Sequence, residues 1–299
     1  MSFCSEVKKE LLNLRLSGCC KLGYVYGFML FGRSFSIKRI ALQTGSEDVA
    51  KGYCDAIFAE YKIRPQITAG GNIRPTFVAE VVSEADRLKI LASRDFGMSE
   101  TVIDDSLFYR DCCFASFVRG AFLACGNIND PQKEYRLEFN VKDEHTALEL
   151  QALLAQQGID LKSTKRAKGL QLYTKESGII EDVLTLMGAS KHTLDIMDTK
   201  IMKSVKNNIN RARNCDSANI SKTVEASIKQ RAAIEYLEKN HRLENLPEEL
   251  LQAALLRKNN PEATLKELCR LSDAPLTVSG LNHRFKRILE IYNDTKDNE

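Results

Sequence analysis

Two short apolar runs constrain this chain more than any other feature. Residues 25–35 (VYGFMLFGRSF) and 118–128 (VRGAFLACGNI) each carry a glycine in third place, Gly27 and Gly120, and a glycine or small residues near the end, Gly32 in one and Ala124, Cys125 and Gly126 in the other. Both read as helical. Packed helices normally stand about 8–10 Å apart because side chains hold their axes at that distance. Glycine removes the spacer, so these two helices can meet backbone to backbone about a pseudo-twofold axis.

The echo extends beyond the runs. After Gly27 the periodicity predicts a strand over 35–44, a helix over 47–61, strands over 66–69 and 76–82, and a helix over 84–93. After Gly120 the same order recurs as a strand over 135–141, a helix over 144–157, strands over 161–165 and 170–174, and a helix over 179–187. Turn signals at Gly70-Gly71-Asn72 and Lys168-Gly169 sit at corresponding places between the paired strands. Two β-rich halves thus repeat, with their glycines 93 residues apart in sequence.

This duplicated arrangement resembles the LAGLIDADG homing-endonuclease fold, in which helix, strand pair, helix, strand pair, helix is repeated and two glycine-bearing helices join the halves. The resemblance implies a saddle of two antiparallel sheets able to sit on a duplex, with a carboxylate closing each motif helix to hold Mg²⁺. Laid on this chain, those positions fall at Gly32 and Cys125. Neither offers the oxygen ligand that a hard cation requires, so no metal, no cofactor and no phosphodiester cleavage are expected. Asp104, Asp105 and Asp130 lie close to the second run, but Asp130 precedes Pro131 in a turn-like setting that favours aspartate for local hydrogen bonding.

With 299 residues, 43% hydrophobic and 28% charged, the chain is long enough for two domains and a connector. Its amino terminus, MSFCSEVKKELLNLRL, has no apolar signal core, and no run of about eighteen apolar residues occurs. A cytoplasmic protein without a membrane partner is expected. The nine cysteines include no CxxC pair; Cys19-Cys20 and Cys112-Cys113 are adjacent, a spacing that suits neither a local zinc motif nor an ordinary disulfide. Reduced structural thiols are the expectation. His145, His192 and His241 have no further ligand at metal spacing, and no nucleotide-binding glycine pattern is present.

A net charge of +3 does not itself indicate nucleic-acid binding, so the distribution of charge matters more. Residues 1–20 read as an amphipathic helix (Val7, Leu11, Leu12, Leu14, Leu16) packing on the first half, and residues 99–113 connect the halves. From Lys200 the texture becomes polar and Asn-rich. Lys200, Lys203, Lys206, Arg211, Arg213, Lys222, Lys229, Arg231, Lys239 and Arg242 face only Asp216, Glu225, Glu235 and Glu238. Such a segment is either a solvated helix face or an arm that tracks phosphates. Candidate cations on the saddle are less dense: Lys38, Arg39, Arg64, Arg74, Lys162, Lys165, Arg166 and Lys168.

The last stretch is the most specific. Pro247 with Glu248 and Glu249 opens a helix whose stripe is Leu250, Leu251, Ala254 and Leu255, ended by Asn259-Asn260-Pro261. Thr264 and Glu267 form a capping box for a second helix that buries Leu265, Leu268 and Leu271. The turn Ser272-Asp273-Ala274-Pro275 leads to a third helix from about Thr277. Three compact helices with a tight turn before the last make a helix-turn-helix pattern. Projected at about 100° per residue, Leu281, Phe285, Ile288, Leu289 and Tyr292 share an apolar sector. Ser279, Asn282, His283, Lys286, Arg287 and Glu290 lie opposite, with Arg284 at the flank.

The run LPEELLQAALLRKNNPEATLKELCRLSDAPLTVSGLNHRFKRI, with the Asn-rich segment before it, strongly resembles the carboxy-terminal part of the WhiA family, which also carries a degenerate LAGLIDADG domain. The family often has a basic residue where this chain has Val278. The resemblance implies an α+β protein: a duplicated LAGLIDADG-like αββαββα domain over 1–195 (halves about 20–95 and 114–190), a basic helical linker over 196–242, and an all-α helix-turn-helix domain over 243–299. It implies a non-catalytic, sequence-specific regulator of transcription that binds double-stranded DNA at the nucleoid and acts in cell division, chromosome segregation or sporulation, with another transcription factor or RNA polymerase as a further partner. Thr277, Ser279, Asn282, His283, Arg284, Lys286 and Arg287 are the expected DNA-contacting residues. The alternatives are a metal-dependent endonuclease, which needs acids at positions 32 and 125, and a scaffold whose saddle binds a protein.

Overall fold

In the computed structural model, which describes residues 2–71, 75–93, 103–272 and 275–297, the chain forms two compact units, residues 1–203 and 204–299. The first unit opens with α1 (Phe3–Leu12) and then runs through one pattern twice. One half is α2 (Cys20–Leu30), β1 (Ser34–Ser36), β2 (Arg39–Thr44), α3 (Glu47–Tyr61), β3 (Gln66–Gly70), β4 (Thr76–Glu80) and α4 (Glu84–Ala92). The other is α5 (Asp111–Cys125), β5 (Gly126–Ile128), β6 (Leu137–Val141), α6 (Glu144–Gln156), β7 (Lys162–Arg166), β8 (Gly169–Thr174) and α7 (Ser177–Met187). Each half makes a four-stranded sheet, ordered β1-β2-β4-β3 and β5-β6-β8-β7, with every paired neighbour antiparallel.

The elements follow the predicted αββαββα order, with shifts that have local causes. The single strand expected over 35–44 is a hairpin, because Ile37 and Lys38 form a turn and the Arg39 N–H donates to the Ser36 hydroxyl. Ile37 fits an alternating pattern by eye, yet it is 51% exposed at the turn. The motif helices begin earlier than their apolar runs, at Cys20 and Asp111, and the second ends at Cys125. Gly126 is extended, with φ −77° and ψ 150°, which releases residues 126–128 from the helix to pair with β6. The amino-terminal helix stops at Leu12, so Leu14 and Leu16 lie beyond it. Residues 99–102 of the connector, Asn72, Arg74, Asp273 and Ala274 lie outside the described residues.

Strand alternation sends Ile40 and Leu42, and Leu137, Phe139 and Val141, into one continuous core that also takes α2, α5 and the buried face of α1. At its centre α2 and α5 meet on their glycines. A Cβ at Gly27 would stand 2.2 Å from the Phe117 carbonyl oxygen, and one at Gly120 would stand 2.2 Å from the Tyr24 carbonyl oxygen. Those distances are far inside van der Waals contact, so the backbones can approach this closely only without side chains there.

At the amino-terminal ends of the same helices, the sulfurs of Cys19, Cys20, Cys112 and Cys113 all lie within 4.8 Å of one another. Adjacency in sequence had argued against a metal site. The fold brings two such pairs from different halves together, a proximity that adjacency in sequence does not show.

α8 (Ser190–Lys239) starts in the first unit, where the Glu10 carboxylate accepts the backbone N–H groups of Lys191 and His192 at 2.9 and 3.3 Å. An acid at a helix start satisfies orphan donors and suits the dipole. In the second unit the end of α8 joins α9 (Glu248–Asn259), α10 (Leu265–Leu271) and α11 (Val278–Asp297) around Ile234, Leu237, Leu250, Ala253, Ala254, Leu268, Leu281, Phe285 and Ile288. The capping box forms as read: the Thr264 hydroxyl accepts the Glu267 N–H, and the Glu267 carboxylate accepts the Thr264 N–H at 2.8 Å. Two burial expectations need correcting. The α9 stripe is Leu250, Ala253, Ala254 and Arg257, leaving Leu255 exposed, and Leu271 is exposed at the end of α10.

Candidate nucleic-acid interface

The first turn of α11 is set by Thr277, whose hydroxyl accepts the Gly280 N–H at 3.1 Å while its carbonyl accepts from Leu281 at 2.9 Å. This is N-cap geometry: an orphan donor is satisfied and the start of the helix is fixed. Leu281, Phe285 and Ile288 then anchor one side in the core. That leaves Ser279, Asn282, His283, Lys286, Arg287 and Glu290 exposed on the other. The predicted division of this helix is therefore the observed one. Arg284 is different: it is half-buried at the flank and forms an ion pair with Glu249 of α9 at 3.2 Å. Its guanidinium braces α11 against α9, unlike the solvent-facing cations beside it.

Sequence reading missed the residue that holds this face in place. Arg257 is 2% exposed inside the helix-turn-helix core. Its Nε donates to the Gln230 side-chain oxygen of α8 at 3.0 Å and a terminal nitrogen donates to the Ala263 carbonyl at 2.5 Å. The guanidinium also lies 5.3 Å from the centroid of the Phe285 ring. Burial lowers its pKa below the usual guanidinium value. One cation thus ties α8, the α9–α10 turn and α11 together through neutral acceptors and a ring face, an arrangement suited to the planar fork of arginine. The available signal was its position seven residues after Leu250 on the buried stripe.

Of the basic residues in α8, Lys200 is paired with Glu181 at 3.2 Å. Lys203 donates to the Pro131 carbonyl at 2.6 Å and lies 4.4 Å from the Tyr135 ring centroid. Both are used in the first unit. Lys206, Arg211, Arg213 and Lys222 are exposed and carry no ion pair among the described residues.

The sheet faces turned away from the helices are polar, and each carries an ion pair. On the first sheet Arg39 pairs with Glu80, which lies on β4 beside β2. On the second, Arg136 pairs with Glu138 at 2.7 Å and also donates, with Arg166, to the Gln171 side chain. Lys165 pairs with Glu144 at 3.1 Å, and Arg64 stacks on Phe58 at 4.0 Å from the ring centroid. Of the expected saddle cations, Arg39, Arg64, Lys165 and Arg166 are thus engaged, whereas Lys38, Lys162 and Lys168 are exposed and carry no ion pair among the described residues. Burial and the neighbouring Arg33, Arg39 and Lys168 lower the Lys142 pKa.

Neither motif-helix end is built for a cation. A Cβ at Gly32 would stand 2.9 Å from the Ala41 carbonyl oxygen and 3.0 Å from that of Met29, so the backbone itself occupies the room an acid would need. At the other end Lys8 donates to the Leu123 carbonyl at 3.1 Å beside Cys125. Burial lowers the Lys8 pKa and pushes the Cys125 thiol up to about 12. A lysine amine beside a thiol that burial keeps protonated offers no anionic ligand for a divalent ion.

Comparison with known proteins agrees with this architecture. The family model of the WhiA LAGLIDADG-like domain matches residues 114–206, and that of the WhiA C-terminal HTH domain matches residues 209–292. The chain is 33% identical over 306 residues to a probable cell division protein WhiA of Bacillus velezensis, covering 97% of this chain and 96% of that protein. It is 34% identical to a protein of the same name from Carboxydothermus hydrogenoformans, over 96% of each chain. The crystal structure of full-length WhiA from Thermatoga maritima is similar along 98% of this chain and 99% of its own, with a TM-score of 0.60 and 26% identity. A duplicated LAGLIDADG-like domain ahead of a helix-turn-helix, shared over nearly the whole length with these relatives, shows that the chain belongs to the WhiA family.

Proposed function

We propose that this chain is a non-catalytic, sequence-specific DNA-binding regulator that acts in bacterial cell division, with α11 reading the major groove. The observation that carries the reading is the exposed face of α11, where Ser279, Asn282 and His283 precede Lys286 and Arg287 on a helix clamped from behind by Phe285 and Arg257. The amino-terminal part of a recognition helix enters the groove first, and asparagine can pair with adenine through two hydrogen bonds. Lysine and arginine farther along reach the phosphates, which position the protein without reading sequence. Lys206, Arg211, Arg213 and Lys222 of α8 add phosphate contacts.

The amino-terminal unit then serves as a non-catalytic scaffold. Its further partner is a protein such as another transcription factor or RNA polymerase. The relatives' printed name, probable cell division protein, supports the assignment to cell division, and the proposed DNA binding would locate the protein at the nucleoid. Among the described residues no helix is long and apolar enough to cross a membrane.

The test is the salt dependence of affinity for the duplex. Alanine at Lys286 and Arg287 together should weaken specific and random duplexes alike and lower the slope of log affinity against log salt by about 2, roughly 0.9 per lost phosphate contact. An unchanged slope would remove both residues from the interface.

A further inference from the structure

The two cysteine pairs obey the symmetry of the fold. Cys19 and Cys112 are 93 residues apart, as are Cys20 and Cys113, the same interval that separates Gly27 from Gly120. The operation that exchanges α2 with α5 therefore exchanges the pairs. The contacts obey it too: the Cys20 thiol donates to the Cys112 carbonyl at 3.3 Å, and the Cys113 thiol donates to the Cys19 carbonyl at 3.3 Å. Four sulfurs lie on the pseudo-dyad at the ends of the helices opposite Gly32 and Cys125.

Their spacing is that of a coordination shell. With a metal–sulfur bond of about 2.3 Å, a tetrahedral tetrathiolate has sulfurs about 3.8 Å apart along each edge. The Cys19 and Cys20 sulfurs are 3.8 Å apart, as are those of Cys19 and Cys112, and no pair among the four exceeds 4.8 Å. A cluster with bridging sulfides would hold the ligands of different irons farther apart, so the set suits a single ion. Cys19 is the N-cap of α2 and Cys20 its first residue, while Cys112 and Cys113 lie in the first turn of α5. Two helix amino termini therefore converge on the site, and their dipoles favour thiolates. Cys19 and Cys112 are exposed and give an ion a route in; Cys20 and Cys113 are buried.

We propose that Cys19, Cys20, Cys112 and Cys113 bind one zinc-like thiophilic divalent cation as a structural tetrathiolate that clamps the first turns of the two motif helices. Binding replaces four S–H bonds with four metal–sulfur bonds and releases four protons to solvent. It needs no oxidant, whereas a disulfide between Cys19 and Cys112 would require one. The site lies away from the DNA-reading helix, so it stands independently of the function proposed above.

The experiment uses the untagged full chain, purified with a reductant and no chelator, with total metal and protein measured together. One zinc per chain is expected. Exchange for Co²⁺ should give the sulfur-to-cobalt charge-transfer absorption and visible bands of tetrahedral thiolate cobalt. Cys19→Ser combined with Cys112→Ser alters two exposed sulfurs and should reduce bound metal to background, while Cys4→Ser combined with Cys215→Ser should keep it at one per chain. A chelator should lower the melting temperature of the wild type and leave that of the Cys19/Cys112 variant unchanged. The proposal is overturned if the reduced wild type binds neither stoichiometric Zn²⁺ nor Co²⁺, if metal stays in the Cys19/Cys112 variant, or if the metal-replete reduced protein carries a Cys19–Cys112 disulfide. The cobalt spectrum of the wild type stands whether or not a variant folds.

Discussion

Gly120→Val should leave the amino-terminal unit unable to reach its native packing. Even the first added carbon meets the Tyr24 carbonyl oxygen at 2.2 Å and the Phe28 nitrogen at 2.8 Å, and both are backbone atoms of a buried helix that cannot turn aside. The helices must separate by on the order of 1 Å, which opens the interface along its length, since close-packed interiors transmit such strain. Overpacking generally costs about 1–3 kcal/mol and sometimes more; with backbone on both sides we expect at least about 3 kcal/mol, a large share of the stability of an ordinary domain. Gly27→Ala, facing the Phe117 carbonyl oxygen at 2.2 Å, should behave in the same way. The two effects will not add, because they disrupt one interface. Gly178→Ala is the control, with nothing within 4 Å of its added carbon in α7, and should be neutral or stabilising by up to about 1 kcal/mol. Calorimetry of the three variants settles the matter; a Gly120→Val melting transition equal to that of the wild type would refute the backbone contact.

Arg257→Ala should loosen α11, the helix proposed to read DNA, without touching its outer face. The substitution removes a buried side chain beside Phe285 and leaves the Gln230 oxygen and the Ala263 carbonyl without their donor. A buried acceptor left unpaired costs about 1–3 kcal/mol, and a cavity of this size adds to that. Together they predict at least about 3 kcal/mol, which is about a hundredfold in the opening equilibrium. Hydrogen exchange reads this directly: the amides of Leu281 to Ile288 should exchange on the order of a hundred times faster. Arg257→Met keeps much of the packing and should fall between the two. Exchange no faster than in the wild type would show that Arg257 does not hold α11.

The duplicated order of elements was legible because its signals are local. Glycine third in each apolar run, alternation in the strands and the Thr264–Glu267 box all lie within a few residues of what they control. The outer face of α11 was legible for the same reason, since Leu281, Phe285 and Ile288 repeat at helical spacing and leave the polar residues opposite. What was missed depends on partners distant in sequence. Arg257 reads as a surface cation until α8 supplies Gln230 and α11 supplies Phe285. The cysteine pairs look inert until α2 and α5 place Cys19 beside Cys112. The hairpin at Ile37-Lys38 was hidden because a turn residue happened to continue the apolar alternation.

Binding-site selection on the wild type and Asn282→Ala in parallel tests most directly whether α11 reads base sequence. Asn282 is exposed near the amino-terminal end of α11, beside Ser279 and His283, and its removal deletes no packing. The expected result is one motif from the wild type and, from the variant, the same motif relaxed at one base position. The preferred site should lose about 1–3 kcal/mol while random duplex is bound almost as before. Identical motifs with uniformly reduced affinity would contradict the account, because Asn282 would then only position the helix and the reading of sequence would lie elsewhere.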